Sequence, residues 1–375
     1  MTLPEVSWPF DHARSAAPPF GRLPVSIPTW RPEGRAGLPE AGTPRALSLP
    51  SVRPLLLLTA LLMALCAFIP ASPGPLAAGG SYAGEPFLAR HPVVVAADRM
   101  VCSMLGSQQS RAGVIGEDGG HSVGLGGVVF WNFGDTVLAN GGLNPNGIGW
   151  SGDRSAADCI TLVPGSSANG AASLLPKASD GELTVWPLGM EATSPDRVHF
   201  FYASIVGEDE LDDWQVAGVG LASFDTRTLT AERAFDGALP WPAGGPLPFR
   251  TLMDGEYVYV FLDAARDDWA TDTILARAPA ADIESLGAYE FWQPGIGGSG
   301  TWVDGLWDEE AGAWSPRLNY IEPLWTQPGR HNGIEVAYNE YLGKWLAVYA
   351  SGFMTAVKVR AAGEITGPWD TSETL

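Results

Sequence analysis

Past about residue 85 the chain keeps one rhythm. A short run of β-branched and aromatic residues follows a Gly, Asp or Lys-Gly turn, and a second run often follows the first. The strongest runs are "GGVVFWNFGD", "DRVHFFYASIVG", "GEYVYVFLDAA" and "GKWLAVYASGF"; "VAGVGLASFD", "DTILARAPAADI" and "TAVKVRAAGEI" are second runs. Runs of this length and composition between turn signals predict strands. No long stretch carries a helical period, and only "PAADIESLG" predicts a short helical turn. The fold class is therefore all-β.

The strong runs begin near Val128, Val198, Tyr257 and Trp345, at successive gaps of 70, 59 and 88 residues. The last gap has room for one more unit, "GTWVDGLWDEEAGAWSPRLNYIEPLW". Five sheet-like units of roughly 55 residues predict a five-bladed β-propeller, with a large sandwich as the alternative. In a propeller the innermost strands converge on an axial funnel, so side chains at their ends share one pocket.

Residues 1–85 break the rhythm. Residues 1–53 form a Pro- and Arg-rich leader without core-building periodicity, expected to be disordered. Residues 54–85 hold an uncharged run of fifteen, Leu55 to Ile69, followed by small residues and prolines. That length is short for a membrane span and right for a secretory signal. Export is expected, with cleavage between Ala71 and Ala83, or else an uncleaved anchor that still leaves the domain at 86–375 outside the membrane. The product is secreted or membrane-anchored, and this apolar segment is its one expected membrane contact. Cys66 belongs to the apolar run, which leaves Cys102 and Cys159 either to form one disulfide or to stay free thiols.

A net charge of -20 excludes nucleic acid as a partner, since its phosphates would be repelled, and offers no polybasic surface to anionic lipid. A neutral polysaccharide suits such a surface. There is no GxSxG elbow, HExxH motif or phosphate loop, and the scattered Cys and His make a zinc site improbable. No cofactor is expected. The acidic loops "EDELDDWQ" and "ARDDWATD" could hold structural Ca²⁺, though neither has EF-hand spacing.

Candidate chemistry centres on "GEDGGHSVGLGGVVFWNFGDTVL". Asp118 lies in a glycine turn and Asp135 follows an aromatic strand. A short hairpin around "GLGG" would bring the two to the same end. Two close carboxylates separate into an acid and a base, the chemistry that cleaves a glycosidic bond. The plainer alternative is that both are turn residues.

This stretch also resembles the start of the proteins grouped as domain of unknown function 4185, with an Asp-Gly turn and a strand ending Phe-Gly-Asp-Thr. "GELTVWPLGM", "TILARAPAADIESLGAYEFW" and "GIEVAYNEYLGKWLAVY…VRAAGEITGPWD" continue the resemblance in order over residues 95–375. The resemblance implies a five-bladed propeller related to glycoside hydrolase family 183. Those endo-D-arabinanases cut D-arabinofuranan of the mycobacterial envelope and carry their essential carboxylates in the first blade. Those positions fall on Asp118 and Asp135 here.

Glu335, in "RHNGIEVAYN", is the third candidate. It is expected where a strand enters the last blade, either serving catalysis or paired with Arg330 or Lys344. His121, His331 and Asn332 are candidates to bind sugar hydroxyls. Trp150, expected in a glycine-rich loop with Asp153 beside it, is the first choice for a sugar platform. Trp186, Trp292, Trp345 and Trp369 are expected in the inter-blade core; Trp214 and Trp269 are expected in loops. The function expected is hydrolysis of furanosidic bonds in an arabinan. The competing reading is a non-catalytic propeller binding glycan or another surface partner, and a third is cleavage by Asp135 with Glu335.

Overall fold

A computed structural model describes residues 106–153, 160–167, 170–171, 173–178, 181–209, 213–329, 331–351 and 356–374. The leader, the apolar run at 55–69, Cys102 and Cys159 lie outside the described residues.

Four antiparallel sheets of four or more strands follow one another along the chain. The first comprises His121–Leu125, Val128–Phe133, Gly147–Ser151 and Val163–Pro164. The second begins Thr184–Ser194, Arg197–Asp209, Asp213–Asp225 and Thr230–Arg233, and the third begins Leu247–Asp254, Tyr257–Ala265 and Thr271–Pro279. The fourth comprises His331–Asn339, Lys344–Ser351, Ala356–Ala362 and Glu373–Thr374. Ser107–Arg111 is a single α-helical turn, and "PAADIESLG" forms two short 3₁₀ turns where a helical turn was expected.

The two-residue alternation of side chains along each strand explains how the sheets stack. In Arg197–Asp209, Val198, Phe200 and Tyr202 join a core with Val123, Phe130 and Ile148 of the first sheet. The intervening Phe201, Ala203 and Ile205 face Val258, Val260 and Leu262 of the third sheet. The third sheet repeats the device, turning Tyr259 and Phe261 toward Ile334, Val336, Ala347 and Tyr349 of the fourth. Each middle sheet is thus buried on both faces, which accounts for nearly unbroken apolar runs such as "VHFFYASIV".

The first strand of every sheet lies against its neighbours, and these four are called axial strands below. Gly189 lets two of them touch backbone to backbone: a Cβ there would stand 2.7 Å from the Thr251 amide nitrogen and 2.8 Å from the Arg250 Cα. A contact of 3.6 Å between His121 Nδ1 and Glu335 Oε1 joins the first axial strand to the fourth. Three separate cores between successive sheets, with axial strands meeting inside, make a blade-like arrangement rather than a two-sheet sandwich.

The segment expected to form an additional unit does something else. Gly300–Val303 and Trp325–Gln327 add to the third sheet, while Trp307–Asp308 and Ala313–Trp314 pair only with each other. Its tryptophans fill neighbouring cores, with Trp314 on Tyr289 and Phe291, and Trp325 on Phe261 and Trp369.

Candidate functional site

The site begins with a hairpin. Leu125 pairs with Val128 across Gly126 and Gly127, whose φ values of 61° and 90° are those a tight two-residue turn requires. The register runs back through Val123–Phe130 to His121–Asn132. After a break it resumes with Glu117–Thr136 and Gly116–Val137, in the ladder formed by Val114–Glu117 and Thr136–Leu138. Asp118 and Asp135 lie within the break, equidistant from the turn. The Asp118 N–H donates to the Asp135 carbonyl at 2.9 Å, and the Gly134 N–H donates to the Asp118 carbonyl at 2.8 Å. The two aspartates are therefore cross-strand neighbours.

Their environments differ. Asp118 is exposed, and its Oδ1 accepts the Gly119 N–H at 2.7 Å. Asp135 is half-buried and accepts the Trp186 indole N–H at 3.2 Å. Burial raises the Asp135 pKa above the usual carboxylate range; the Trp186 bond pulls it down and the Asp118 charge pushes it up. Asp135 is the one better able to hold a proton. Neither aspartate pairs with a cation among the described residues. Next to them, burial pushes Glu117 up to about 7.

Trp186 is the functional contact that sequence reasoning missed. It packs against the core between the second and third sheets, as expected, and its indole N–H also serves Asp135. Trp214 packs edge-to-face on it, with ring centroids 4.7 Å apart, and is 43 % exposed. Trp214 belongs to the strand Asp213–Asp225 rather than to a loop. Together the two rings form an aromatic wall beside the carboxylates.

Other candidates lie elsewhere. Trp150 is not in a loop: it sits in the strand Gly147–Ser151, paired with Phe130 and Val163 and packed against the core between the first two sheets. The glycines around it belong to that strand, which explains the misreading. The Asp153 N–H donates to Ser151 Oγ at 3.0 Å, closing the turn that follows. His331 and Asn332 begin the axial strand of the fourth sheet, and their side chains lie outside the described residues.

Glu335 is in the middle of that strand, not at its entry, and Arg330 lies outside the described residues. It contacts Arg250 Nε at 2.9 Å and His121 Nδ1 at 3.6 Å. Neither contact has hydrogen-bond alignment. His121 is buried there, so its ring serves this axial cluster and is closed to solvent. The His121 N–H donates to Asn132 Oδ1, and Asn132 Nδ2 donates to the Leu188 carbonyl, tying the first axial strand to the second. Arg250, a lone cation in "LPFRTLMD", was missed; a charge inside an apolar strand was the available signal.

No group of three or more Asp, Glu, His or Cys among the described residues is arranged to hold a metal ion. In the loop "ARDDWATD", Asp268 and Asp272 are engaged by Arg266.

No family model matches the chain, and no curated protein matches it. Among solved structures, it is similar to a candidate hydrolase of Bacteroides ovatus, at 13 % identity over 70 % of each chain, with a TM-score of 0.47. The GH43_1 enzyme of Xanthomonas citri aligns at 13 % identity over 71 % of this chain and 78 % of its own, with a TM-score of 0.38. The catalytic domain of the Coprinopsis cinerea GH62 alpha-L-arabinofuranosidase aligns at 11 % identity over 71 % and 70 %, with a TM-score of 0.34. At such identities, and with these TM-scores, the fold and activity of the chain must be argued from its own residues.

Proposed function

We propose that the protein is an exported glycoside hydrolase that cleaves furanosidic bonds in an arabinan-type polysaccharide, built as a β-propeller of the family it resembles. The observation carrying this reading is the register-matched pair, exposed Asp118 beside half-buried Asp135, neither engaged by a cation among the described residues. In this scheme Asp135 gives its proton to the leaving oxygen. The exposed Asp118 attacks the anomeric carbon or activates the water that does. Trp186 and Trp214 offer C–H-binding faces to a furanose while its hydroxyls find polar partners. The acidic surface favours a neutral polymer over an anionic one.

The test is to make Asp118→Asn and Asp135→Asn separately and assay oligosaccharide release from arabinan. Each change is expected to reduce release by at least about a thousandfold, since the paired residues act as a unit. Turnover retained in both variants overturns the assignment. Arabinan bound but not cut by the unsubstituted chain favours the glycan-binding module instead.

A further inference from the structure

The axial strands of the second, third and fourth sheets run side by side in the same direction. Gly189 abuts Arg250 and Thr251, Glu191 accepts the Met253 N–H, and Arg250 reaches Glu335. Trp186, which touches Asp135, lies near the start of the second sheet's axial strand, so the aspartate pair stands at the entry end. Toward the other end is a cavity of about 550 Å³, lined by Glu191, Arg250, Asp254, Tyr338, Trp345 and Glu364 among others. At about 3.3 Å per residue, the five positions from Trp186 to Glu191 place the two sites about 16 Å apart along the strand.

The lining offers a mixed set of groups. Asp254 and Glu364 are exposed carboxylates without a side-chain partner among the described residues. Glu191 is a fixed wall, its two oxygens taken by the N–H groups of Ala192 and Met253. Tyr338, 49 % exposed, meets Trp345 edge-to-face at 5.4 Å. Arg250 Nη1 is buried, with no hydrogen-bond partner among the described residues. The guanidinium disfavours an organic cation here, and the carboxylates disfavour an anion. A neutral polyol suits this lining: its hydroxyls donate to Asp254 and Glu364 and leave a C–H face for Tyr338.

We propose that this cavity is a second glycan subsite, which holds a neutral sugar unit away from the bond being cleaved. Its ligand being arabinan rests on the function proposed above. The test titrates arabino-oligosaccharide calorimetrically into the Asp118→Asn chain, with and without the added pair Asp254→Asn and Glu364→Gln. Both added positions are exposed, so the fold is expected to tolerate them; Tyr338→Phe, which keeps the ring, is the control. The expected result is two binding events in the parent and one in the doubly substituted cavity, with affinity at the lost site down by about tenfold or more. With Asp118 intact, turnover of short oligosaccharides is expected to be unchanged by the cavity substitutions. Unchanged stoichiometry and affinity overturn the subsite, as does tighter binding of tetramethylammonium than of sugar. Loss of short-substrate turnover overturns its separateness. If the unsubstituted chain cuts no arabinan, the hydrolase reading falls, while the titration still decides whether the cavity binds sugar.

Discussion

Burial separates the two aspartates in character, and one indole N–H works against it. Burial and the charge of Asp118 favour the protonated form of Asp135, while Trp186 stabilises its carboxylate. The two neighbours therefore pull in opposite senses. Trp186→Phe keeps the ring and removes the donor, so the Asp135 pKa is expected to rise further; Asp118→Asn removes a negative charge, so it is expected to fall. Carboxyl carbon NMR titration of the two variants checks both signs, and like-signed shifts would contradict this account. Glu117 makes a separate prediction. Its pKa is raised from 4.5 to about 7 in the folded chain, so the folded state binds the extra proton over that window. Stability from this group is present below 4.5 and is lost as pH rises through about 7. Glu117→Gln is thus expected to gain stability over the unsubstituted chain at pH 8 by about 1 kcal/mol after allowance for solvent screening, and little at pH 4.5. Urea unfolding at the two pH values measures the difference. The aspartate pairing was legible in the sequence because a hairpin places equidistant residues together. The direction of the Trp186 indole was not, because it depends on a strand 51 positions away in a different sheet.

The elements that hold the pair are as specific as the pair itself. Gly126 and Gly127 have positive φ, and a Cβ on either would meet nothing within 4 Å. Any cost of a side chain there is backbone strain rather than a clash. Gly127→Val is expected to destabilise the protein by about 1–2 kcal/mol, with activity falling where the hairpin loosens. Gly189→Ala is the contrasting case, because its Cβ would collide with the neighbouring axial backbone, which cannot rotate away as a side chain would. It is expected to cost about 1–3 kcal/mol by pushing two sheets apart. Guanidinium unfolding of both variants, with an unchanged slope against denaturant, checks that the native state and not the denatured one has changed. The hairpin could be read directly from a Gly-Gly pair between alternating apolar runs. The segment from 300 to 327 could not. Its tryptophans gave it the composition of strands, but large rings serve equally well as plugs for a neighbour's core, and Trp314 and Trp325 are used in that way.

Across the whole molecule, Arg250 links the axial cluster to the far cavity. It contacts Glu335 at 2.9 Å, lines the far cavity, and its charge lowers the proton affinity of Glu191, which burial otherwise raises. Sequence could show a lone Arg in an apolar strand, but not a partner 85 positions on, because that contact exists only once the third and fourth sheets have stacked. The Arg250 side chain is 12 % exposed and that of Glu335 is 54 % exposed. Arg250→Met should therefore leave a solvated carboxylate rather than a buried, unpaired one, and the expected loss of stability is about 1–2 kcal/mol instead of the larger cost of a broken buried pair. The Glu191 pKa should rise further at the same time, since a lowering influence has gone. A double-mutant cycle with Glu335→Gln separates charge from packing. If the ion pair is what matters, Arg250→Met costs less in the Glu335→Gln background, and the difference shrinks in high salt. If the cost is the same in both backgrounds, Arg250 acts through its buried stem alone, and the link between the third and fourth axial strands is steric rather than electrostatic.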